Sequence, residues 1–445
     1  MSQPSRPNIL LILADDLGVG ELGCYGQEQI RTPNLDRLAQ QGARCTSAYS
    51  GSCVCAPTRA SILTGRHTGH SAIRTNLEVQ PEGQMPLPPS EVTFASRLRE
   101  QGYATALVGK WGLGPPGGEG APSRHGFDLF YGYLCQRHAH DHRPGYLYRN
   151  ETREPLEPGT YAPDRFLEEA IGFVRRSAPE PFLLCYHTTI PHVALQVPDD
   201  SLAEYAGAFQ ETPYDGTKGY TKHPTPRAAY AAMVTRMDRD VGILLAELDR
   251  LGLAEETIVV FASDNGPTWA GGTDSTFFES ADGRRGLKGQ LYEGGIRVPL
   301  IVRWPGHITP GLVRDEPVGL WDLAPTFEAA MGAAPNSTQS TPGGAVDGID
   351  LSAWLGARAP LPDRVLYWEY PSEGGWQAIR WGRWKAIRKG VAKRSDAPIE
   401  LYDLLDDPGE SKDVASEHPE VVADLRERMQ KSRTDAPVPE WNIFP

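Results

Sequence analysis

Cys55-Ala56-Pro57-Thr58-Arg59 is the segment of this chain whose residue types and spacing could do unusual chemistry. Pro57 fits the first position of a helix running Thr58 to Leu63 and stopping at Gly65. Cys55 then stands at a helix N-terminus, where free N–H groups and the helix dipole favour an anion. Asp15-Asp16 and Asp264-Asn265 offer hard oxygen ligands. Such a set suits calcium, with magnesium as second choice, and not zinc, which takes nitrogen or sulfur. Arg59, Lys110, His192 and Lys288 could neutralise an oxyanion and stabilise or protonate a departing oxygen. Singly, each has a blander reading: a buried structural thiol, turns closed by Asp and Asn, solvated surface cations. Their occurrence together favours the chemical one.

The elements that must position these residues alternate in type. An apolar strand spans 8–14, Thr32-Pro33-Asn34 opens a helix, and a helix from Thr93 ends at Gly102. Strands follow at 103–108, 181–187, 257–263 and 299–304, with helices at 163–176 and 227–251 between them. This order predicts an α/β fold with a mixed, mainly parallel sheet sandwiched by helices. Asp15-Asp16, Lys110, His187/His192 and Asp264-Asn265 each fall just beyond the C-terminal end of a predicted strand, the edge where open α/β sheets bind ligands. The Ser/Thr/Pro/Gly-rich stretch 335–348 reads as a loop. Beyond it, short strands near 365–370, 376–380, 384–388 and 399–403 and a helix at 419–431 predict a small C-terminal antiparallel sheet plus helix. The expected division is a catalytic domain over 1–355 and an α+β subdomain over 356–445 packed on it.

Composition narrows the partners. The 445 residues are 40% hydrophobic and 23% charged, which is ordinary globular usage. A net charge of −13 argues against nucleic acid or an anionic membrane as partner. An anionic substrate then requires local positive charge, which Arg59, Lys110 and Lys288 can supply. Six cysteines in so long a chain do not suggest a disulfide framework, and Cys53-Val54-Cys55 lacks the second pair that a zinc site would need. No apolar run is long enough for a membrane span. The polar start leads directly into the first strand, with no recognisable signal peptide, and this predicts a cytoplasmic protein.

Taken together, the motifs resemble those of the type I, formylglycine-dependent sulfatases of the alkaline phosphatase superfamily, arylsulfatases among them. The resemblance rests on Ala14-Asp15-Asp16-Leu17-Gly18, Leu22 to Gly26, Cys55 to Arg66, Gly109-Lys110-Trp111, Pro191-His192, Ser263 to Gly266, Lys288-Gly289, Glu293 to Pro299 and Leu401 to Leu404. It covers almost the whole chain, and its most specific element is Cys-x-Pro-x-Arg followed by Leu-Thr-Gly-Arg. It implies an alkaline-phosphatase-like fold and conversion of Cys55 to Cα-formylglycine by a maturase. It also implies a calcium ion held by Asp15, Asp16, residue 55, Asp264 and Asn265. The hydrated aldehyde would attack the sulfur of a small sulfate ester or sulfated saccharide. Arg59 would hold the formylglycine oxygens, Lys110 would bridge them to the sulfate, and His192 and Lys288 would stand near the leaving oxygen.

One position departs from the family pattern. Many members read Gly-Lys-Trp-His-Leu-Gly, whereas this chain has Gly112 where that histidine would be. Glycine moves no proton, so another group must. His138 and His140, in the run Gln136 to His142, are the candidates to enter the pocket in its place, and His142 reads as structural. Trp269, Trp376, Trp381 and Trp384 are read first as core or interface residues rather than as a sugar or aryl platform. Two other functions stay open on sequence: a phosphonate monoester or phosphodiester hydrolase of the same superfamily, and a non-catalytic sulfatase-like binding protein.

Overall fold

In the computed structural model, residues 6–217, 219–332 and 345–444 are described, so most of the expected 335–348 loop lies outside them. The strands, in chain order, are β1 (Asn8–Asp15), β2 (Ala43–Tyr49), β3 (Ala104–Lys110), β4 (Leu129–Tyr133), β5 (Tyr146–Arg149), β6 (Thr152–Pro155), β7 (Phe182–Pro191), β8 (Thr257–Ser263), β9 (Arg297–Arg303), β10 (Leu312–Arg314) and β11 (Val318–Gly319). They form one sheet in the order β10-β2-β9-β8-β1-β7-β3-β4-β5-β6, with β11 beside β2. The middle of the sheet, from β8 through β1, β7 and β3 to β4, is parallel. β9, β5 and β6 pair antiparallel at its flanks.

Strand β1 explains the layering. All eight of its residues are buried, as a strand covered on both faces requires. Leu10, Ile12 and Ala14 face one core with residues of the Ala162–Ser177 and Pro226–Arg250 helices. Ile9, Leu11 and Leu13 face the other, with residues of the Cys55–Thr64 and Phe94–Glu100 helices. Period-2 alternation thus feeds two helical layers from one apolar run. Among the described residues no helix is long and apolar enough to cross a membrane.

A second, four-stranded antiparallel sheet comprises β12 (Val365–Tyr370), β13 (Trp376–Trp381), β14 (Trp384–Lys389) and β15 (Ile399–Asp403). The Pro419–Lys431 helix covers one face through Leu425 and Met429 against Ile379, Ala386 and Leu401. The other face meets the large sheet's side of the molecule. There Trp368 packs on Tyr49 and Trp321, with ring centroids 5.4 and 5.7 Å apart.

At this junction Lys385 of β14 reaches Glu293 and Glu410, each at 2.9 Å, and all three side chains are fully buried. Burial would raise both carboxyls. Lys385 and Arg297 nonetheless hold Glu293 at about 2, while burial wins at Glu410 and pushes it up to about 7. Removing the shared ammonium leaves a buried carboxylate without its partner, which typically costs about 3–5 kcal/mol. Lys385→Met should therefore lower unfolding free energy by about that amount, read by denaturant titration.

Candidate active site

Because β1, β3, β7 and β8 run parallel, their C-terminal ends share one edge of the sheet. Asp15 ends β1, and Asp16 follows in a left-handed conformation with φ 68°, uncommon for a residue with a side chain. The turn is held from β8: the Asp16 N–H donates to Asp264 Oδ1 at 3.2 Å and the Leu17 N–H to Ser263 Oγ at 2.9 Å. Lys110 is the last residue of β3 rather than just beyond it, and His187 lies within β7. Beside them, a Cβ on Gly109 would fall 1.9 Å from the His187 carbonyl oxygen, so only glycine allows β3 this approach to β7.

The helix bearing Cys55 begins at Cys55 itself and runs to Thr64. Pro57 is thus its third residue, not its first. The position tolerates proline because N–H groups of the first turn have no intrahelical acceptor. The Ala56 N–H instead donates to Asn76 Oδ1 at 2.9 Å, and Gly65 closes the helix with φ 71°.

These elements converge on one buried cluster. Cys55 Sγ lies 3.5 Å from Asp15 Oδ1. Lys110 Nζ lies 2.6 Å from Asp15 Oδ2, Arg59 2.7 Å from Asp264 and 3.7 Å from Asp15, and Lys288 2.7 Å from Asp16. His192 Nε2 is 3.5 Å from Asp16 Oδ2, and its Nδ1 is 2.5 Å from the Val193 carbonyl oxygen. The Asn265 amide donates to Asp16 Oδ1 at 2.8 Å, while its own Oδ1 is buried without a partner. Three carboxylates are matched by three cations, so the set as it stands is close to neutral.

That balance is uneven in detail. Burial raises every carboxyl here. At Asp15 the charges of Lys110, His192, Arg59 and Lys288 overcome it and hold the group well below the usual range. At Asp16 burial prevails over Lys288, and at Asp264 burial and Asp15 together push the carboxyl up to about 6. Burial also pushes the Cys55 thiol up to about 12, despite Lys110 and Lys288. An unmodified thiol here is therefore a poor nucleophile at neutral pH. The donor set of three carboxylates and an unpartnered amide oxygen fits a hard divalent cation.

Outside the cluster a cavity of about 490 Å³ opens, walled by Cys55, His192, Lys288, His140, Tyr220 and five further residues. His140 stacks on His192 with centroids 4.7 Å apart and lies 5.5 Å from the Tyr220 ring. Burial and the neighbouring lysines push it down to about 4, so it stays neutral. The expected pocket histidine is thus His140. His138 is not brought to this pocket: its ring packs against Tyr133 and Tyr146, beside Glu82, in a separate cavity. His142 is buried against Thr189 Oγ1 and the His192 carbonyl oxygen, a supporting position. Trp376, Trp381 and Trp384 lie on the small sheet, away from the cavity, and Trp269 is exposed.

Sequence reasoning passed over Asn76, Gln84, Gln136 and Tyr220, which also line the cavity. Gly112 was the available signal for Gln136. It has φ 72°, and a Cβ there would lie 2.4 Å from Gln136 Nε2. The Gln136 side chain fills the space that a side chain at 112 would take.

The family model for sulfatases matches residues 7–333, and that for the C-terminal region of N-sulphoglucosamine sulphohydrolase matches 287–435. Human arylsulfatase A is 34% identical, over 97% of this chain and 89% of its own. Mouse steryl-sulfatase is 32% identical, over 97% and 83%. The crystal structure of Ps i-CgsB in complex with k-i-k-neocarrahexaose superposes with a TM-score of 0.83 at 28% identity, covering 98% and 94% of the two chains. The chain belongs to the sulfatase family, within the alkaline phosphatase superfamily, and is a sulfatase enzyme.

If the oxygen cluster takes calcium, chelator-treated protein should gain stability when calcium is restored. The gain should approach about 2.7 kcal/mol at a hundredfold excess over Kd. Asn265→Ala should shrink that gain, read as the calcium-dependent shift in thermal midpoint.

Proposed function

We propose that this sulfatase hydrolyses sulfate monoesters through formylglycine at position 55, aided by a calcium ion held by Asp15, Asp16, Asp264 and Asn265. The observation that carries the reading is the 3.5 Å approach of Cys55 Sγ to Asp15 Oδ1, at a helix N-terminus and beside two buried cations, Arg59 and Lys110, and the part-buried Lys288. A hydrated aldehyde at 55 would supply the hydroxyl nucleophile, and the cation would favour its ionised form while offsetting sulfate charge.

The remaining work falls to this chain's own residues. Arg59 is anchored by Asp264 and by the Lys110 carbonyl oxygen at 2.8 Å, and its buried Nε–H has no partner. That donor is available to an oxygen on residue 55. Lys110, fixed to Asp15, keeps a positive charge beside the same atom; burial opposes that charge, but Asp15 raises the ammonium's pKa. Lys288 and His192 line the cavity into which the alcohol would depart, and in this reading they would hold the sulfate and leaving oxygens. His140, neutral and in the same cavity, takes over proton transfer where the chain has Gly112. A maturase that oxidises Cys55 is part of this reading. The mixed polar and apolar lining of the cavity and the saccharide-bound relative are consistent with either a small sulfate ester or a sulfated saccharide as substrate.

Steady-state kinetics on a sulfate monoester and on a phosphodiester test it. The wild type should prefer the sulfate, His140→Ala should lower kcat about 100-fold, and His138→Ala should leave kcat close to wild type. Preference for the phosphodiester would move the assignment to that class of hydrolase. Wild-type turnover in His140→Ala would remove His140 from proton transfer.

A further inference from the structure

Tyr220 reaches the catalytic cavity from a part of the chain that otherwise faces solvent. Asp215, Thr217, Gly219, Thr221 and Lys222 around it are exposed, whereas Tyr220 is partly buried and lines the cavity with Cys55, His192 and Lys288. The stretch is closed at its base. Tyr214 and His223 form an antiparallel bridge, in which the Tyr214 N–H donates to the His223 carbonyl oxygen at 2.9 Å and the His223 N–H to the Tyr214 carbonyl oxygen at 3.0 Å. The Thr225 N–H donates to His223 Nδ1 at 3.1 Å, which ties the bridge to the start of the Pro226–Arg250 helix. A braced turn thus carries one ring inward.

Two surroundings meet at that ring. Its apolar part packs against the core that holds the Pro226–Arg250 helix. It also lies 5.5 Å from His140, which itself stacks on His192. A phenylalanine would pack in the same way. The hydroxyl is the part that packing leaves unexplained, because a tyrosine O–H held within a fold usually has a hydrogen-bond partner. Among the described residues none hydrogen-bonds to it. The groups whose charge acts on it most are Lys288, Asp16, Lys110 and Cys55, all members of the cluster at the strand ends. Burial raises the phenol above its usual range against the pull of Lys288, so it stays a protonated donor at neutral pH.

What such a donor can do follows from the charge that develops beside it. When an oxygen of residue 55 bonds to sulfur, the bond from sulfur to the ester oxygen breaks and its electron pair stays on that oxygen. The proton given up by the attacking hydroxyl ends on the same oxygen, so the alcohol departs neutral. Until it arrives, the ester oxygen carries negative charge. A donor already fixed in the cavity wall stabilises that moment more than it stabilises the bound ester.

We propose that Tyr220 is a further catalytic residue, whose hydroxyl donates a hydrogen bond to the ester oxygen as the alcohol leaves. This rests on the sulfatase reading of the site and adds to it a donor from outside the strand-end cluster. Tyr220 keeps its own proton throughout and works beside Lys288 and His192.

Steady-state kinetics of wild type and Tyr220→Phe, on protein matched for conversion of residue 55, test this with 4-nitrophenyl sulfate, phenyl sulfate and galactose 6-sulfate. Phenylalanine keeps the ring beside His140 and removes the donor alone. The loss in kcat/KM should grow as the departing alcohol becomes a weaker acid: slight for 4-nitrophenol, and about tenfold for phenol and for the sugar. The thermal midpoint should stay that of the wild type. A ring that only packs would change all three substrates by one factor. A common factor, wild-type kinetics in Tyr220→Phe, or a loss greatest on 4-nitrophenyl sulfate would each overturn the proposal. If the wild type, with residue 55 converted, releases sulfate from none of the three esters, the sulfatase reading itself is overturned and this inference with it.

Discussion

The structure depends on placing like charges together away from water. Asp15, Asp16 and Asp264 have no exposure to speak of, and desolvation alone would drive protons onto all three. Lys110, Arg59 and Lys288 prevent this at Asp15 and only partly at the other two. A knot of this kind is costly to bury and is weak evidence of stability by itself. Its value is as a preorganised field: with a divalent cation added, a neutral set becomes positive. A sulfate monoester then meets its counter-charge inside a protein whose net charge is −13.

The fold supplies that field by simple means. Four parallel strands end on one edge, and two of them bring adjacent pairs, Asp15-Asp16 and Asp264-Asn265. The left-handed turn at Asp16 is held by Asp264 and Ser263, so the two pairs brace each other. The Cys55–Thr64 helix, packed in the core on the other side of β1, presents its first residue to the same point. The small antiparallel sheet adds support at a distance. Lys385 ties it to Glu293, whose helix leads into β9.

Much of this was legible in the sequence because it rests on short-range signals. Continuous apolar runs marked β1 and β8, and the Pro419–Lys431 helix and the hairpin strands of the small sheet were readable from their periods and turns. β2 was not, because Ala-Arg-Cys-Thr-Ser-Ala-Tyr has neither an apolar run nor strict alternation, and its place is set by β9 and β10. β5 and β6 are only four residues each, too short for a pattern to emerge. Within the site, ligands at strand ends and the Cys55 motif could be named in advance. Which of His138 and His140 enters the cavity could not, since a single 3-10 turn spans both and tertiary packing on Tyr133 and Tyr146 decides it.

The chemical claim at the centre is that the residue which acts at position 55 is an aldehyde, not the encoded thiol. Mass spectrometry of the tryptic peptide 45–59, on protein made with an active maturase and fractionated by conversion, measures this directly against turnover. Specific activity should rise in proportion to the fraction of peptide carrying formylglycine and extrapolate to zero for the pure thiol. Full activity in protein whose peptide carries only cysteine would contradict the account.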